Sequence, residues 1–349
     1  MNTQTQDSGE VLDAMVRTMK DASPLYAPSV FWQQLQTRHI EELGRDGFAN
    51  FKRTLNMKYF NWSVRGIVYF QLMPVLWRWL KSPTLAPFVA KFSDYRAQSG
   101  SAAKSFNFIS ALVYKIFVAM FADFVRTTDP LGLIDKLAEP PVGNPFVISY
   151  GGRRVSQDLC NSIHEFYSAT SDTDRSRKGL RVAELGAGYG RLGQVFLSAL
   201  EGSSYTVIDI PPALYVSQRY LSEVFPALKV FTFREFKSFE DVREEYEASR
   251  IRFLAANQIE LLPKDSFDLF VNVSSLHEMT YDQIANYLKQ IDRLCRGQFY
   301  SKQWKVSRGK AANGFTIKEF EYPTPKHWAQ QFHRTHPIQR MFFEALYRT

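Results

Sequence analysis

The chain has 349 residues, of which 45% are hydrophobic, 22% are charged and 15% are aromatic. These fractions are those of globular proteins, and they exclude a chain that is disordered, collagen-like or a coiled coil throughout. At roughly 150 residues per domain, the length predicts about two domains. The net charge of +8 is spread along the chain instead of gathered in Lys/Arg runs, so we expect no nucleic-acid partner.

The two cysteines, Cys160 and Cys295, are too few for a disulfide framework, and no Cys/His cluster has the spacing of zinc ligands. We therefore expect a protein of the reducing cytoplasm and predict no metal site. Two apolar stretches need comparison with a membrane span. Ile67–Trp77 is too short to cross a bilayer, and the helical spacing of large apolar side chains in Phe106–Val125 predicts a core helix instead.

Changes in composition divide the chain into three parts. Residues 1–20 are predicted to be a flexible tail, 21–150 a helical N-terminal domain or lid, and 151–349 a cofactor-binding domain. A stiff linker rich in proline and glycine, Glu139–Pro145, lies near the boundary between the last two parts. The helix predicted at Ser156–Ser168 begins the third part.

Beyond Gly179, short apolar runs alternate with helical patterns, which predicts an α/β layer architecture with a parallel sheet. Strands are expected at Leu180–Leu185, Tyr205–Ile210, Phe267–Val273 and Phe299–Gln303, and helices at Leu192–Leu200, Pro212–Val224 and Tyr281–Leu294. Phe315–Glu321 and Ile338–Tyr347 are expected to form a terminal hairpin. A charged helix at Phe239–Ser249 is interpreted as an insertion.

The most informative run is the glycine-rich turn that follows the first of these strands, Val182–Gly193. A strand, a glycine turn and a helix together present backbone N–H groups to a ligand. Two interpretations compete. Gly188, Gly190 and Gly193 match the G-x-G-x-x-G fingerprint of dinucleotide-binding proteins, a weak pattern when it stands alone.

The second interpretation is a resemblance to the Glu-x-Gly-x-Gly-x-Gly loop that opens class I S-adenosylmethionine-dependent methyltransferases. In that case the carboxylate of Glu184 would lie near the ammonium group of the cofactor. Asp209, at the end of the next strand, would accept both ribose hydroxyls, a role that suits either cofactor. Gln258 occupies the position usually held by an adenine-contacting aspartate, and its amide oxygen can still accept from the adenine amine.

The strand predicted at Phe267–Val273 ends in the run Asn272–Met279, where class I methyltransferases place catalytic groups. The Asp/Asn-Pro-Pro-aromatic motif of enzymes that methylate nucleobase amines is absent from this run. His277 is suited to removing the proton of an alcohol near neutral pH. Glu278 has three open roles: it can bind sugar hydroxyls, act as the base, or ligate a divalent cation, although no such cation is predicted.

With these motifs in place, the chain resembles the bacterial sugar O-methyltransferase family within the class I superfamily. The phrases that carry the resemblance are Ser29–Trp32, Asn50–Asn56, Val142–Pro145, Arg154–Leu159, Asn161–Ser162, Leu276–Met279 and Phe342–Tyr347. The resemblance implies a Rossmann-like class I methyltransferase sheet with helices on both faces, preceded by a mostly helical N-terminal region. It also implies methylation of a surface-glycan precursor that is linked to a nucleotide or a lipid.

The predicted site has three groups of residues. Cofactor contacts are expected from Glu184, Gly186, Ala187, Gly188, Gly190, Asp209, Ile210, Asn257, Gln258, Asn272 and Val273. Catalysis is expected from His277 and Glu278, and substrate binding from Arg154, Asp158, Asn161 and Glu165. Arg154 suits a substrate phosphate because arginine binds phosphate in a bidentate manner.

Three other functions stay open at the level of sequence. A nicotinamide-dependent oxidoreductase would use the same glycine turn. A methyltransferase of lipid, protein or RNA would keep the cofactor and change the acceptor. A non-catalytic module with a methyltransferase-like fold would bind a partner through its aromatic helical part.

Overall fold

The computed structural model describes residues 3–20, 22–28, 30–54, 108–307 and 316–349. The apolar stretch Ile67–Trp77 lies outside the described residues, as do positions 106 and 107 of the predicted core helix. The described parts of Met1–Glu41, Ser168–Arg334 and Glu344–Thr349 form one compact unit, and those of Glu42–Tyr167 and Thr335–Phe343 form the other. The first unit thus includes N-terminal residues that the sequence assigned to a tail and a lid.

The described chain alternates between helices and strands after residue 180, as the sequence predicts. The helices are α1 (Thr3–Lys20), α2 (Val30–Asp46), α3 (Phe108–Arg126), α4 (Leu133–Lys136), α5 (Gln157–Ala169), α6 (Arg191–Ala199), α7 (Ala213–Val224), α8 (Arg243–Ala248) and α9 (Tyr281–Leu294). The strands are β1 (Ile148–Tyr150), β2 (Arg153–Val155), β3 (Arg181–Leu185), β4 (Ser204–Asp209), β5 (Val230–Phe231), β6 (Ile251–Ala255), β7 (Phe267–Val273), β8 (Cys295–Trp304), β9 (Val306–Ser307), β10 (Ile317–Lys318), β11 (Ala329–Thr335) and β12 (Phe342–Arg348).

Eight of these strands form one sheet in the order β11-β12-β8-β7-β3-β4-β6-β5. In the part of the sheet with the order β8-β7-β3-β4-β6-β5, every two neighbouring strands are parallel. Every residue of β4 and of β6 is buried, as expected for strands covered on both faces. The architecture confirms the predicted Rossmann-like α/β class.

The path of the chain through the sheet defines where a ligand can bind. From β3 the chain runs to β4 and β6 on one side, and it then returns to β7 and β8 on the other side. Right-handed crossovers in opposite directions place their connections on opposite faces of the sheet. The order therefore reverses between β3 and β7, and the carboxyl ends of these two strands form a topological switch point, where ligands bind in open α/β sheets.

Several elements differ from the expectations drawn from sequence. The region predicted to be a tail contains α1, in which Leu12, Met15 and Met19 are buried at helical spacing. The predicted terminal hairpin is replaced by two separate pairings, because β10 pairs with β9 whereas β12 lies beside β11 in the main sheet. The strand before Asn257 is β6, and the alternative candidate at 229–233 forms only the short edge strand β5.

In the second unit, α3 supplies a row of buried apolar side chains that includes Phe117, Phe121 and Phe124, as predicted for a core helix. A buried ion pair of 2.5 Å joins Lys52 Nζ to Glu139 Oε1 in the same unit. Among the helices in the described parts of the chain, none has both the length and the apolar character that a bilayer crossing requires.

Candidate functional site

The glycine turn after β3 is tied to the end of β4 by the carboxylate of Asp209. The N–H of Gly188 donates to Asp209 Oδ2 at 2.9 Å, and the N–H of Ile210 donates to Asp209 Oδ1 at 2.7 Å. Gly186, Gly188 and Gly190 all have positive φ angles, between 60° and 86°, which favour glycine. The turn predicted from sequence is therefore present and lies at the switch point of the sheet.

The loop after β7 packs directly against this turn. A Cβ atom placed on Gly186 would lie 2.3 Å from Ser275 Oγ, so any side chain at position 186 would collide with the loop. Asn272, at the end of β7, donates from Nδ2 to Leu185 O at 2.8 Å and to Ser275 Oγ at 2.6 Å. The amide of Asn272 thus holds the two loops together.

Glu184, the acidic residue that precedes the turn, is 3% exposed. The hydroxyl of Tyr205 donates to Glu184 Oε2 at 2.6 Å. The ring of Tyr205 also lies close beneath α6, because a Cβ atom on Gly193 would lie 2.8 Å from it. Glu184 is therefore anchored between the sheet and α6 at the base of the turn.

The electrostatics of the site are acidic. Burial raises the pKa of the Asp209 carboxyl to about 7, although the two backbone N–H groups that it accepts from lower the pKa. The negative charge of Glu278 also raises the pKa of Asp209. Asp209 at the end of β4 and Glu278 beyond β7 therefore lie close enough to interact electrostatically.

His277 and Glu278 lie in a short 3₁₀ helix, Leu276–Glu278, directly beyond β7. His277 Nε2 lies 3.5 Å from Glu278 Oε1. The imidazole is 1% exposed and stacks on the indole of Trp304, with ring centroids 5.0 Å apart. The side chain of Glu278 is 11% exposed, so it is the more accessible member of the pair.

The N-terminal segment of the first unit also reaches this site. Trp32 Nε1 donates to Glu278 Oε2 at 3.1 Å. Gln283 Nε2, in the first turn of α9, donates to the carbonyl oxygens of Pro24 and Ala27 at 3.1 and 2.8 Å. Tyr26 packs edge-on against Tyr287, with ring centroids 5.6 Å apart. The residues between α1 and α2 therefore cover the start of α9, beside Glu278.

Asn257 and Gln258 follow β6, whose last residue, Ala255, pairs with Asp209. Both polar atoms of the Gln258 side-chain amide form hydrogen bonds. Oε1 accepts from Ala255 N at 2.9 Å, and Nε2 donates to Arg234 O at 2.8 Å. The Oδ1 atom of Asn257 is buried and has no hydrogen-bond partner among the described residues. Gln258 thus braces the loop, whereas Asn257 has a buried acceptor that no described residue satisfies.

The predicted substrate residues lie in the second unit. Arg154 is exposed in β2, which pairs with β1 in a small hairpin. Asp158, Asn161 and Glu165 lie on α5 and are 4%, 2% and 0% exposed. Their common face is therefore inside the protein. His164 packs edge-on against His336 in the same unit, with ring centroids 4.9 Å apart.

Three residues of the candidate site, Trp32, Ser275 and Gln303, are not among those predicted from sequence. Gln303 Oε1 lies 3.0 Å from His277 Nδ1. None of these residues lies in a motif that points to its partner. Ser275 does lie in the run Asn272–Met279, and Gln303 ends a predicted strand, so both lie at or just beyond the carboxyl ends of strands, where ligands bind in open α/β sheets.

No family model matches the chain, and no curated protein matches it. Among solved structures, it is similar to the mitomycin 7-O-methyltransferase MmcR, with 15% identity and a TM-score of 0.38 over 54% of this chain and 55% of that one. It is also similar to the 1,6-didemethyltoxoflavin-N1-methyltransferase of Burkholderia thailandensis, with 19% identity and a TM-score of 0.35 over 55% and 85%. The N-methyltransferase NodS of Bradyrhizobium japonicum is similar at 13% identity and a TM-score of 0.34 over 54% and 85%.

Proposed function

We propose that the protein is an S-adenosylmethionine-dependent O-methyltransferase that acts on a sugar hydroxyl of a glycan precursor. The observation that carries the proposal is the junction at the switch point, where the glycine turn hydrogen-bonds Asp209 and where Glu278 acts electrostatically on Asp209. This junction supports a nucleoside-binding role for the end of β4 and a proton-accepting role for the residues beyond β7, with β3 and its glycine turn between the two strands.

The cofactor roles follow from the donors and acceptors that the site offers. Asp209 would accept the ribose hydroxyls, since its oxygens lie at the end of β4. The buried Oδ1 of Asn257 would accept from the adenine amine, a donor that the described residues around it do not supply. Backbone N–H groups of the turn, together with Glu184 at its base, would face the amino acid part of the cofactor.

Bound S-adenosylmethionine supplies an electrophilic methyl group on a sulfonium. An alcohol becomes a good acceptor for this group only when its proton is removed. We assign this step to Glu278, because its carboxylate is more accessible than the enclosed imidazole of His277. His277 Nε2 lies behind the carboxylate and can take the proton onward.

The sugar as acceptor is supported by the residues beside Glu278 and by the resemblance to sugar O-methyltransferases. The indole of Trp32 hydrogen-bonds Glu278, so an aromatic ring and a carboxylate lie together. Such a pair can cover the apolar face of a sugar ring and accept from its hydroxyls. Arg154, the exposed member of the predicted substrate set, is proposed to meet a phosphate of a nucleotide- or lipid-linked precursor.

Binding of S-adenosylhomocysteine tests the first part of the proposal. A ligand at 100 times its dissociation constant stabilises the folded protein by about 2.7 kcal/mol, which a thermal unfolding experiment detects. Stabilisation by NADH and none by S-adenosylhomocysteine would favour the oxidoreductase instead. Methyl transfer to a panel of nucleotide sugars, followed by mass spectrometry with and without EDTA, then tests the acceptor and the need for a divalent cation.

A further inference from the structure

A chain of hydrogen bonds runs from the glycine turn to His277 through two buried amides. Asn272 and Gln303 are both 0% exposed. Asn272 Nδ2 donates to Leu185 O, and Gln303 Nε2 donates to Asn272 Oδ1 at 2.6 Å. Gln303 Oε1 then faces His277 Nδ1 at 3.0 Å. The chain therefore links the residue before Gly186 with the imidazole beside Glu278.

Backbone groups fix the orientation of each amide independently. For Asn272, Nδ2 faces the carbonyl oxygen of Leu185 and Oδ1 accepts from the N–H of Leu276 at 3.3 Å. Rotating the amide by 180° would place Oδ1 against the carbonyl oxygen of Leu185, so that two acceptors meet. It would also place Nδ2 against the N–H of Leu276, so that two donors meet.

The same holds for Gln303. Its Nε2 atom also donates to the carbonyl oxygen of Asn272 at 3.3 Å, and its Oε1 atom accepts from the backbone N–H of His277 at 3.3 Å. The orientation of this amide therefore follows from backbone partners and not from the imidazole that it orients.

An amide oxygen can only accept a hydrogen bond, so the nitrogen that faces it must carry a proton. We propose that Gln303 is a positioning residue that holds His277 with its proton on Nδ1, so that Nε2 alone exchanges a proton with Glu278. The catalytic consequence rests on the proposed function, whereas the tautomer does not.

In the proposed reaction, the proton of the acceptor hydroxyl passes to Glu278 as the new oxygen–methyl bond forms and the bond from that methyl group to the sulfonium sulfur breaks, with neutral S-adenosylhomocysteine as the leaving group. The proton then moves from the carboxyl of Glu278 to Nε2 of His277, which becomes an imidazolium and keeps its Nδ1–H on Gln303. Glu278 returns to the carboxylate form. Because Gln303 is neutral, Glu278 is the carboxylate placed to balance the charge of the imidazolium.

Nuclear magnetic resonance of the imidazole nitrogens tests the tautomer in the full-length protein. The chain has six histidines, and the signals of His277 are identified by their loss in His277→Gln. At alkaline pH we expect wild-type His277 to be protonated on Nδ1 and bare on Nε2. A proton on Nε2 and none on Nδ1 in the wild-type protein would overturn the proposal without any further variant.

Two substitutions at position 303 separate positioning from packing. Gln303→Leu removes the acceptor and should shift the ring proton toward Nε2, with a fall in kcat of roughly 10²–10⁴-fold. Gln303→Glu retains an acceptor and should retain the Nδ1–H signal. An unchanged ring signal in Gln303→Leu would contradict the proposal.

Gln298 provides the matched control, because it is also a buried glutamine of β8, accepts a hydrogen bond from Thr173, and precedes Gln303 by five residues along the strand, or about 16 Å. Gln298→Leu should leave both the His277 signal and kcat unchanged. If wild-type His277 carries its proton on Nδ1 but no sugar accepts a methyl group, the positioning role stands and the proposed reaction fails.

Discussion

Trp32 Nε1 donates a 3.1 Å hydrogen bond to Glu278 Oε2, although 246 positions separate the two residues in the chain. The contact places an aromatic side chain from the N-terminal segment directly against the accessible carboxylate of the site. It also gives that carboxylate a fixed orientation, with Oε1 toward His277 Nε2 and Oε2 toward the indole.

We expect Trp32→Phe to lower kcat/KM for methyl transfer by about 10-fold. The substitution keeps an aromatic ring and removes the donor, and a hydrogen bond to a charged group contributes about 1.5–3 kcal/mol. Trp328→Phe is the control, since Trp328 Nε1 donates to Asp292 Oδ1 at 2.6 Å in the same unit. Equal activity losses in the two variants would mean that Trp32 acts only through stability.

The raised pKa of Asp209 predicts that the free energy of unfolding depends on pH. Its pKa is raised from 3.8 to about 7 in the folded protein, so its contribution to stability is complete below about pH 4 and is lost as the pH rises through 7. The Asp209→Asn variant has no ionisable group at this position. Its free energy of unfolding should therefore fall less between about pH 4 and pH 7 than that of the wild-type protein, by up to ~4 kcal/mol. Urea unfolding at a series of pH values measures the difference.

Asp268 is the control for this experiment. Burial raises its pKa, but hydrogen bonds from Arg181 outweigh burial, and the net pKa is lowered. The stability that it contributes is present above the unfolded pKa and is lost as the pH falls below it. Asp268→Asn should therefore leave the slope between pH 4 and pH 7 unchanged. The same slope in wild type and Asp209→Asn would show that Asp209 is not protonated in this range.

Asn257 and Gln258 should respond differently to alanine. Asn257→Ala removes the buried acceptor and should weaken S-adenosylhomocysteine binding about 10-fold, with little change in stability. Gln258→Ala removes the two bonds that brace the loop and should lower the free energy of unfolding by roughly 1–2 kcal/mol. Calorimetry measures the affinities.

A cofactor analogue identifies the atom involved. S-inosylhomocysteine has a carbonyl in place of the adenine amine, so the wild-type protein should bind it more weakly than S-adenosylhomocysteine. Asn257→Ala should lose this discrimination. A variant that still prefers the adenine compound to the same extent would place the adenine acceptor elsewhere.

Gly186→Ala should destabilise the protein by more than about 2 kcal/mol, because the new Cβ meets Ser275 Oγ and the φ angle is +70°. Gly179→Ala tests the effect of the positive φ angle alone, since Gly179 has a φ of +74° and open space around it. It should cost about 1 kcal/mol. Equal losses in the two variants would mean that Ser275 moves aside without cost.

Local patterns in the sequence were sufficient for the glycine turn and for β3, β4, β7 and β8, four adjacent strands of the sheet. Buried parallel strands such as β4 and β7 are continuous apolar runs, and the turn after Leu185 needs positive φ angles that glycine adopts without strain. The exposed edge strand β11 has no such pattern, because its polar side chains face solvent, and the expected terminal hairpin was therefore assigned to other residues.

Tertiary structure alone decided which side chains meet at the site. Asn257 and Gln258 are adjacent and chemically alike, and only the bonds from Gln258 to Ala255 and Arg234 distinguish them. The pairing of Trp32 with Glu278 and of Gln303 with His277 depends on how the chain returns to one edge of the sheet. Hydrogen bonds between distant residues leave no periodic trace in a single sequence, whereas secondary structure does.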